Sequence, residues 1–249
     1  WDWKNQGMEH PKTTVPDKTP HNNNGVLMGG ATLTKGRSGK ALELSGHDDW
    51  VEIYEDPSLD INGKSLTLSA WIYPRPWIGK SPIITKGRHQ YALIQSSSET
   101  IEFNIFDEER ISTETKVPDN WYKNWHHVAG VYDGSELKIY IDGELKNTTT
   151  HTGTIHDGAA PVNIGRTWGK EWFSNALIDD AGIYDKALTE ENLRQIMNSK
   201  ADGAKLYLTF DDSENRGTYL GYGFYAFPNS TDGIIYTNGK PQPELIHLS

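Results

Sequence analysis

The stretch WHHVAGVYDGSELKIYIDGEL, residues 125–145, decides the fold. In its second half Leu137, Ile139 and Ile141 fall on one side of an extended chain and Lys138 and Tyr140 on the other, the period-two alternation of a sheet that buries one face. Asp133-Gly134 and Asp142-Gly143 interrupt the alternation with residues that tolerate positive φ, so the stretch reads as antiparallel strands joined by tight turns. The same grammar extends outward over residues 41–184, in segments such as ALELSG (41–46), SLTLSAWIYPR (65–75), TIEFNIF (100–106) and NALIDDAGIYD (175–185). Regular strand-and-turn spacing over this length predicts an all-β chain, an antiparallel β-sandwich or jelly roll.

Composition agrees. The 249 residues can bury a sizeable core, and 24 Gly, 12 Pro and 11% aromatic residues against only 35% hydrophobic ones favour short strands and many turns. There is no cysteine, hence no disulfide framework and no thiolate metal site. The net charge of −10, with no run of Lys and Arg, argues against nucleic acid and suits neutral partners or cations. No apolar stretch reaches the ~18 residues of a membrane span, so no membrane partner is expected.

One helix interrupts the strands. In ALTEENLRQIMNSK (187–200) Thr189 can cap the N-terminus, Glu190 and Glu191 sit where the helix dipole favours anions, and Leu188 can staple onto Leu193. The narrow stripe Leu193, Ile196 and Met197 predicts a short surface helix laid on the sandwich edge. A strand signal, LYLTFDD (206–212), follows, and then a Gly, Tyr and Asn-rich tail without periodicity, so the terminal segments are expected to be irregular.

The stretch 125–145, IDDAGIYDKALTEENL (178–193) and GRSGKALELSGHDDWVEI (36–53) together resemble the LamG-like jelly-roll family, a concanavalin A-like β-sandwich, over residues 15–200. That resemblance implies a carbohydrate-binding or interaction module, and a structural calcium ion. The first edge strand expected before the loop PDKTPHNNNG (16–25) is missing, and LYLTFDD has its sequence, which suggests a circular permutation pairing LYLTFDD with IDDAGIY. The oxygen donors that the resemblance brings together are Asp17, Asn22, Asn23, Asp179, Asp180 and Asp211, the set expected to supply calcium ligands. Asp179 and Asp180 are consecutive on a strand, so only one reaches a given ion. The alternative for all six is Asx-turns and loop caps.

Sugar binding needs an exposed aromatic face beside planar polar groups. Trp77 in RPWIGK (75–80) and Trp168 and Trp172 in RTWGKEWF (166–173) lie in loop-like sequence and are the candidates, with partly buried packing as the alternative for each. Trp50, Trp71 and Trp125 sit in strand patterns and read as core. His126 and His127 face opposite sides of a strand and do not make a metal pair. The acidic run FDEERISTE (106–114) reads as a solvated face, and no catalytic residue is assigned within the sandwich.

The ends carry a second resemblance. WDWKNQG (1–7) is similar to the WDWVDQG stretch at the last barrel strand of glycoside hydrolase family 2 β-galactosidases, and YGFYAFPNSTDGIIYTNGKPQPEL (222–245) is similar to the segment that follows it there. The resemblance implies barrel remnants at 1–14 and 213–249 around a LamG-like domain at 15–212, inserted at the active-site rim. It makes Trp1 the apolar wall of a galactose subsite and matches Asp232 to an Asn that helps hold a monovalent cation; the departures at Asp232 and Asn229 weaken that site. The two catalytic glutamates of the family come from earlier strands, so no catalytic residue is expected here. The implied partners are a galactoside or polysaccharide and the rest of the parent glycosidase, expected in the periplasm, at the cell surface or secreted. A structural insert or an interaction module without sugar binding is the competing reading.

Overall fold

The computed structural model describes residues 11–156, 158–169, 171–198, 203–212, 214–221, 224–226, 235–237 and 240–242. With strands numbered along the chain, one sheet runs β10 (Glu109–Lys116), β9 (Thr100–Asp107), β8 (Tyr91–Gln95), β7 (Ser81–Lys86), β14 (Val162–Ile164), β5 (Trp50–Ile53), β2 (Gly25–Met28) and β1 (Pro11–Val15). The facing sheet runs β13 (Glu144–Thr150), β12 (Glu136–Ile141), β11 (His126–Tyr132), β6 (Leu66–Pro74), β15 (Asn175–Tyr184), β4 (Lys40–Ser45) and β3 (Thr32–Lys35). Neighbouring strands are antiparallel throughout, and the two inner faces enclose one core, as the sequence predicts. No described helix is long and apolar enough to cross a membrane.

The deciding stretch folds as read. Val128 pairs with Ile141 and Tyr132 with Leu137 across the β11–β12 hairpin, and Leu137, Ile139 and Ile141 all enter the core. Asp142 and Gly143 both take positive φ, 53° and 76°, which a two-residue connection to β13 requires. The core is dominated by Phe103, Trp121 and Tyr132. Trp121, not singled out in the sequence, is 1% exposed, whereas Trp50 and Trp125 are only half-buried because they sit on outward faces.

The strand β16 (Leu206–Leu208) pairs with Ala181–Ile183 of β15, the pairing expected of LYLTFDD. Strand β15 therefore changes partner along its length, from β4 at Asn175–Ile178 to β16 at Ala181–Ile183. A bulge at the changeover places Asp180 at φ 48°. The loop before β2 is tied to β16 by one carboxylate: Asp17 accepts hydrogen bonds from Thr19 N (3.0 Å), Thr19 Oγ1 (2.7 Å), Asn23 N (2.8 Å) and Tyr207 N (3.0 Å). Its own N–H donates to Asn24 Oδ1 at 2.8 Å.

Helix α1 (Glu190–Ile196) begins at Thr189, whose hydroxyl accepts from Asn192 N, and Asn192 Oδ1 answers the Thr189 N–H. It covers an outer face of the second sheet, not its edge as expected, because Ala129, Val131, Tyr140 and Tyr207 make an apolar shelf there for Leu188 and Leu193. His126 hydrogen-bonds Asp142 and stacks on Trp121, while His127 is buried edge-on to Trp71, where burial holds its imidazole down at about 4.

Beyond residue 213 the tail continues the first sheet from β1 through β17 (Glu214–Gly221), β18 (Phe224–Ala226), β19 (Ile235–Thr237) and β20 (Lys240–Gln242). Main-chain pairing builds these strands without the side-chain alternation that the sequence was searched for. Strands β1 and β17 lie side by side, with Pro11 opposite Thr218 and Thr14 opposite Glu214.

Candidate functional site

Alternation on the first sheet creates the site. In β9, Ile101, Phe103 and Ile105 enter the core, which turns Glu102, Asn104 and Phe106 outward; in β8, Tyr91 and Leu93 point in and leave Ala92 and Ile94 outside. This outward face of β7 to β10 floors a cleft of about 560 Å³, within the range of ligand sites.

One wall is a hairpin. Arg166 bridges to Phe173 and Thr167 N donates to Trp172 O at 3.1 Å, so Trp168 and Trp172 flank the tip of one tight loop. They remain 46% and 40% exposed, large apolar surfaces that the core does not claim. Trp172 packs over Gly79, where a Cβ would come within 2.9 Å of the indole. The base of the hairpin is fixed by Arg166, whose guanidinium lies 4.1 Å over Trp50 and donates to Asn163 Oδ1 at 2.9 Å. Thr85 Oγ1 donates to the Arg166 carbonyl at 2.7 Å. Burial lowers the pKa of this guanidinium, and Glu52, 3.6 Å away, opposes that shift.

The opposite side carries polar and aromatic groups. His89 stacks on Phe106 with ring centres 4.4 Å apart. Gln90 is 4% exposed, lines the cleft, and neither its amide oxygen nor its nitrogen has a hydrogen-bond partner among the described residues. Arg110 forms a close ion pair with Glu102, and Glu102 also accepts from Asn104 Nδ2 at 3.0 Å. Two indole faces and a guanidinium around one cleft can hold a polyhydroxylated ring by stacking and bidentate hydrogen bonds.

Of the expected sugar-contacting residues, Trp168 and Trp172 line this cleft, and half-buried Trp77 does not. Trp1 and Asp232 lie outside the described residues. Sequence reading missed Gln90, Phe106 and Arg110. The signal for Phe106 was an aromatic at an outward position of β9, visible once Ile101, Phe103 and Ile105 are assigned to the core.

The expected calcium donors separate into two places. The Asp17 carboxylate is filled by N–H and O–H donors, Asn22 Nδ2 donates to the Pro20 carbonyl at 3.1 Å, and Asn23 Nδ2 binds Ser58 Oγ and the Lys205 carbonyl; these residues tie the loop. Asp179, Asp180 and Asp211 gather instead at the β15 changeover. Asp179 is 1% exposed, and its Oδ2 has no hydrogen-bond partner among the described residues. A Cβ on Gly36 would stand 2.7 Å from both that oxygen and the Lys40 carbonyl, so the missing side chain leaves a small oxygen-lined cradle. Asp211 Oδ1 accepts from Lys40 N at 3.0 Å, and Asp180 Oδ1 accepts from the Tyr207 hydroxyl at 2.8 Å. Burial, with Asp180 beside it, pushes the Asp179 carboxyl up to about 7. Among the described residues no three His, Asp or Glu side chains form a ready metal cage. The orphaned carboxylate oxygen and the carbonyl beside it are nonetheless the hard oxygen donors that calcium takes.

Fold and topology define a β-sandwich of the jelly-roll class, with an open cleft on the outward face of one sheet. Residues 45–194 match the family model of the concanavalin A-like lectin/glucanases superfamily, a laminin G-type domain, and the chain belongs to that family. Among solved structures, the binding domain of botulinum neurotoxin DC, determined with rat synaptotagmin II, superposes with a TM-score of 0.60 at 16% identity, covering 77% of this chain and 52% of that one. Domain 4 of AbnA, a GH43 extracellular arabinanase from Geobacillus stearothermophilus, determined with arabinotriose, gives 0.58 at 18% identity, covering 75% and 99%. The chain spans about half the length of the neurotoxin binding domains it matches. No curated protein matches it.

Proposed function

We propose that the cleft binds carbohydrate and that the domain is an accessory module of a family 2, β-galactosidase-like glycosidase. The carrying observation is the exposed Trp168 and Trp172 on one hairpin above a polar floor. Similarity to a domain determined with arabinotriose supports it. The glycosidase setting rests on the resemblance of residues 1–7 and 222–245, and the adjacency of β1 and β17 suits a domain spliced into another, because the chain arrives and leaves at one place. Calorimetric titration with arabinotriose and with galacto-oligosaccharides is expected to show binding that falls at least about tenfold in Trp168→Ala/Trp172→Ala, since each lost stacking face is worth about 1 kcal/mol or more. No binding at millimolar ligand would overturn the reading and leave a structural insert.

The cradle beside Asp179 favours a second, structural role. Calcium held by Asp179, Asp211 and the Lys40 carbonyl would neutralise a buried carboxylate and fasten the 36–40 turn to the β15 changeover. Calcium added to chelator-treated protein is expected to raise Tm by roughly 5 °C at saturating ion, as binding to the folded state alone requires. Asp179→Asn should abolish the rise; an equal rise in the variant would place the ion elsewhere.

A further inference from the structure

We infer that the cleft selects an acidic sugar, one that carries a carboxylate or a sulfate. The inference rests on the carbohydrate reading and deepens it. The chain carries a net charge of −10, yet the cleft lining contains Lys80, Lys86, Arg88 and Arg110 against Glu171 alone. Lys86 is fully buried and spent on Asp60 at 2.7 Å and on the Ala160 carbonyl at 2.8 Å. Arg110 shares Glu102, but its side chain is 51% exposed while Glu102 is 9% exposed, so the guanidinium stands in front of its carboxylate with donors still open to the cleft. Lys80 and Arg88 are exposed, and neither has a carboxylate partner among the described residues.

A neutral sugar can take hydrogen bonds from these three cations but offers them no charge, and in an acidic protein their placement beside an aromatic platform is a local reversal of field. A clustered positive rim raises the local concentration of an anionic ligand, and an arginine fork matches the two oxygens of a carboxylate. The stacking surfaces of Trp168 and Trp172 would hold the ring while the rim fixes its acidic substituent.

The test is calorimetric titration of the whole chain with three probes: trigalacturonic acid, the same trisaccharide with its carboxyls reduced to alcohols, and a heparin-derived tetrasaccharide. At least one anionic probe is expected to bind tenfold or more tighter than the reduced trisaccharide, and which of the two does so separates carboxylate from sulfate. Lys80→Gln/Arg88→Gln should weaken the anionic probe several-fold, toward the affinity of the reduced one, and leave the reduced one unchanged. Glu171→Gln should tighten the anionic probe a few-fold. Equal affinity for charged and reduced probes would overturn the acidic preference while the carbohydrate reading stands. Absence of binding to all three, together with the neutral sugars above, would overturn both.

Discussion

Asp17→Ala is expected to lower the free energy of unfolding by about 3–4 kcal/mol, although the residue sits in a loop and touches no hydrophobic core. The carboxylate accepts bonds from Thr19 N, Thr19 Oγ1, Asn23 N and Tyr207 N, and it is only 7% exposed. Alanine leaves these donors facing one another in a buried space with no acceptor, each at a cost of about 1 kcal/mol or more. The bond from Tyr207 N also joins residues 190 apart in sequence, so its loss frees β16 from the loop. Urea unfolding followed by tryptophan fluorescence measures the change. Asp17→Asn, which keeps one acceptor oxygen, should retain about half of the stabilisation. A loss below about 1 kcal/mol for the alanine variant would mean that water replaces the carboxylate and that the staple is not structural.

Gly130→Ala is expected to cost about 3 kcal/mol, far more than a methyl group does on an ordinary strand. Gly130 lies in β11 opposite Phe103 of β9, and a Cβ there would stand 2.2 Å from Phe103 Cγ and 2.3 Å from Cδ2. The ring fills the space between the two sheets above Gly130, so neither sheet can retreat without opening the packed core around it. Phe103→Leu alone should also destabilise, through the cavity it leaves, by about 1–2 kcal/mol. In the Gly130→Ala background the same change should cost nothing or restore stability, because the smaller side chain makes room for the methyl group. Additive losses in that double-mutant cycle would show that the clash is relieved elsewhere.

Residues 125–145 announce their strands because alternation and turn chemistry are both local properties, and the structure places Leu137, Ile139 and Ile141 inward as those properties require. The Thr189 cap was legible for the same reason, although Asn192, which completes the capping box, was not singled out. Trp168 and Trp172 were legible as aromatics in loop sequence. Gln90 and Arg110 were not, because their convergence depends on the lateral order β10-β9-β8-β7, and no single strand encodes that order. For Asp17 the sequence left calcium and loop-capping roles side by side, because an oxygen-rich loop looks the same whether its partner is an ion or the main chain, and the N–H of distant Tyr207 that it accepts from is not a local property. Net charge is an average: −10 over 249 residues says nothing of where single cations such as Lys80, Arg88 and Arg110 stand along one cleft.

The pairing of β1 with β17 has a mechanical side. Pro11 faces Thr218 while Thr14 faces Glu214, so the chain preceding β1 and the chain continuing from β17 leave from the same end of the strand pair. Tension drawing those two segments apart would not shear the pair along its length. It would load the outermost hydrogen bonds first and open the rest one after another, as a zipper opens. A pull between the start of β1 and the far end of β17 would therefore part this pair bond by bond, from Pro11 and Thr218 inward to Thr14 and Glu214.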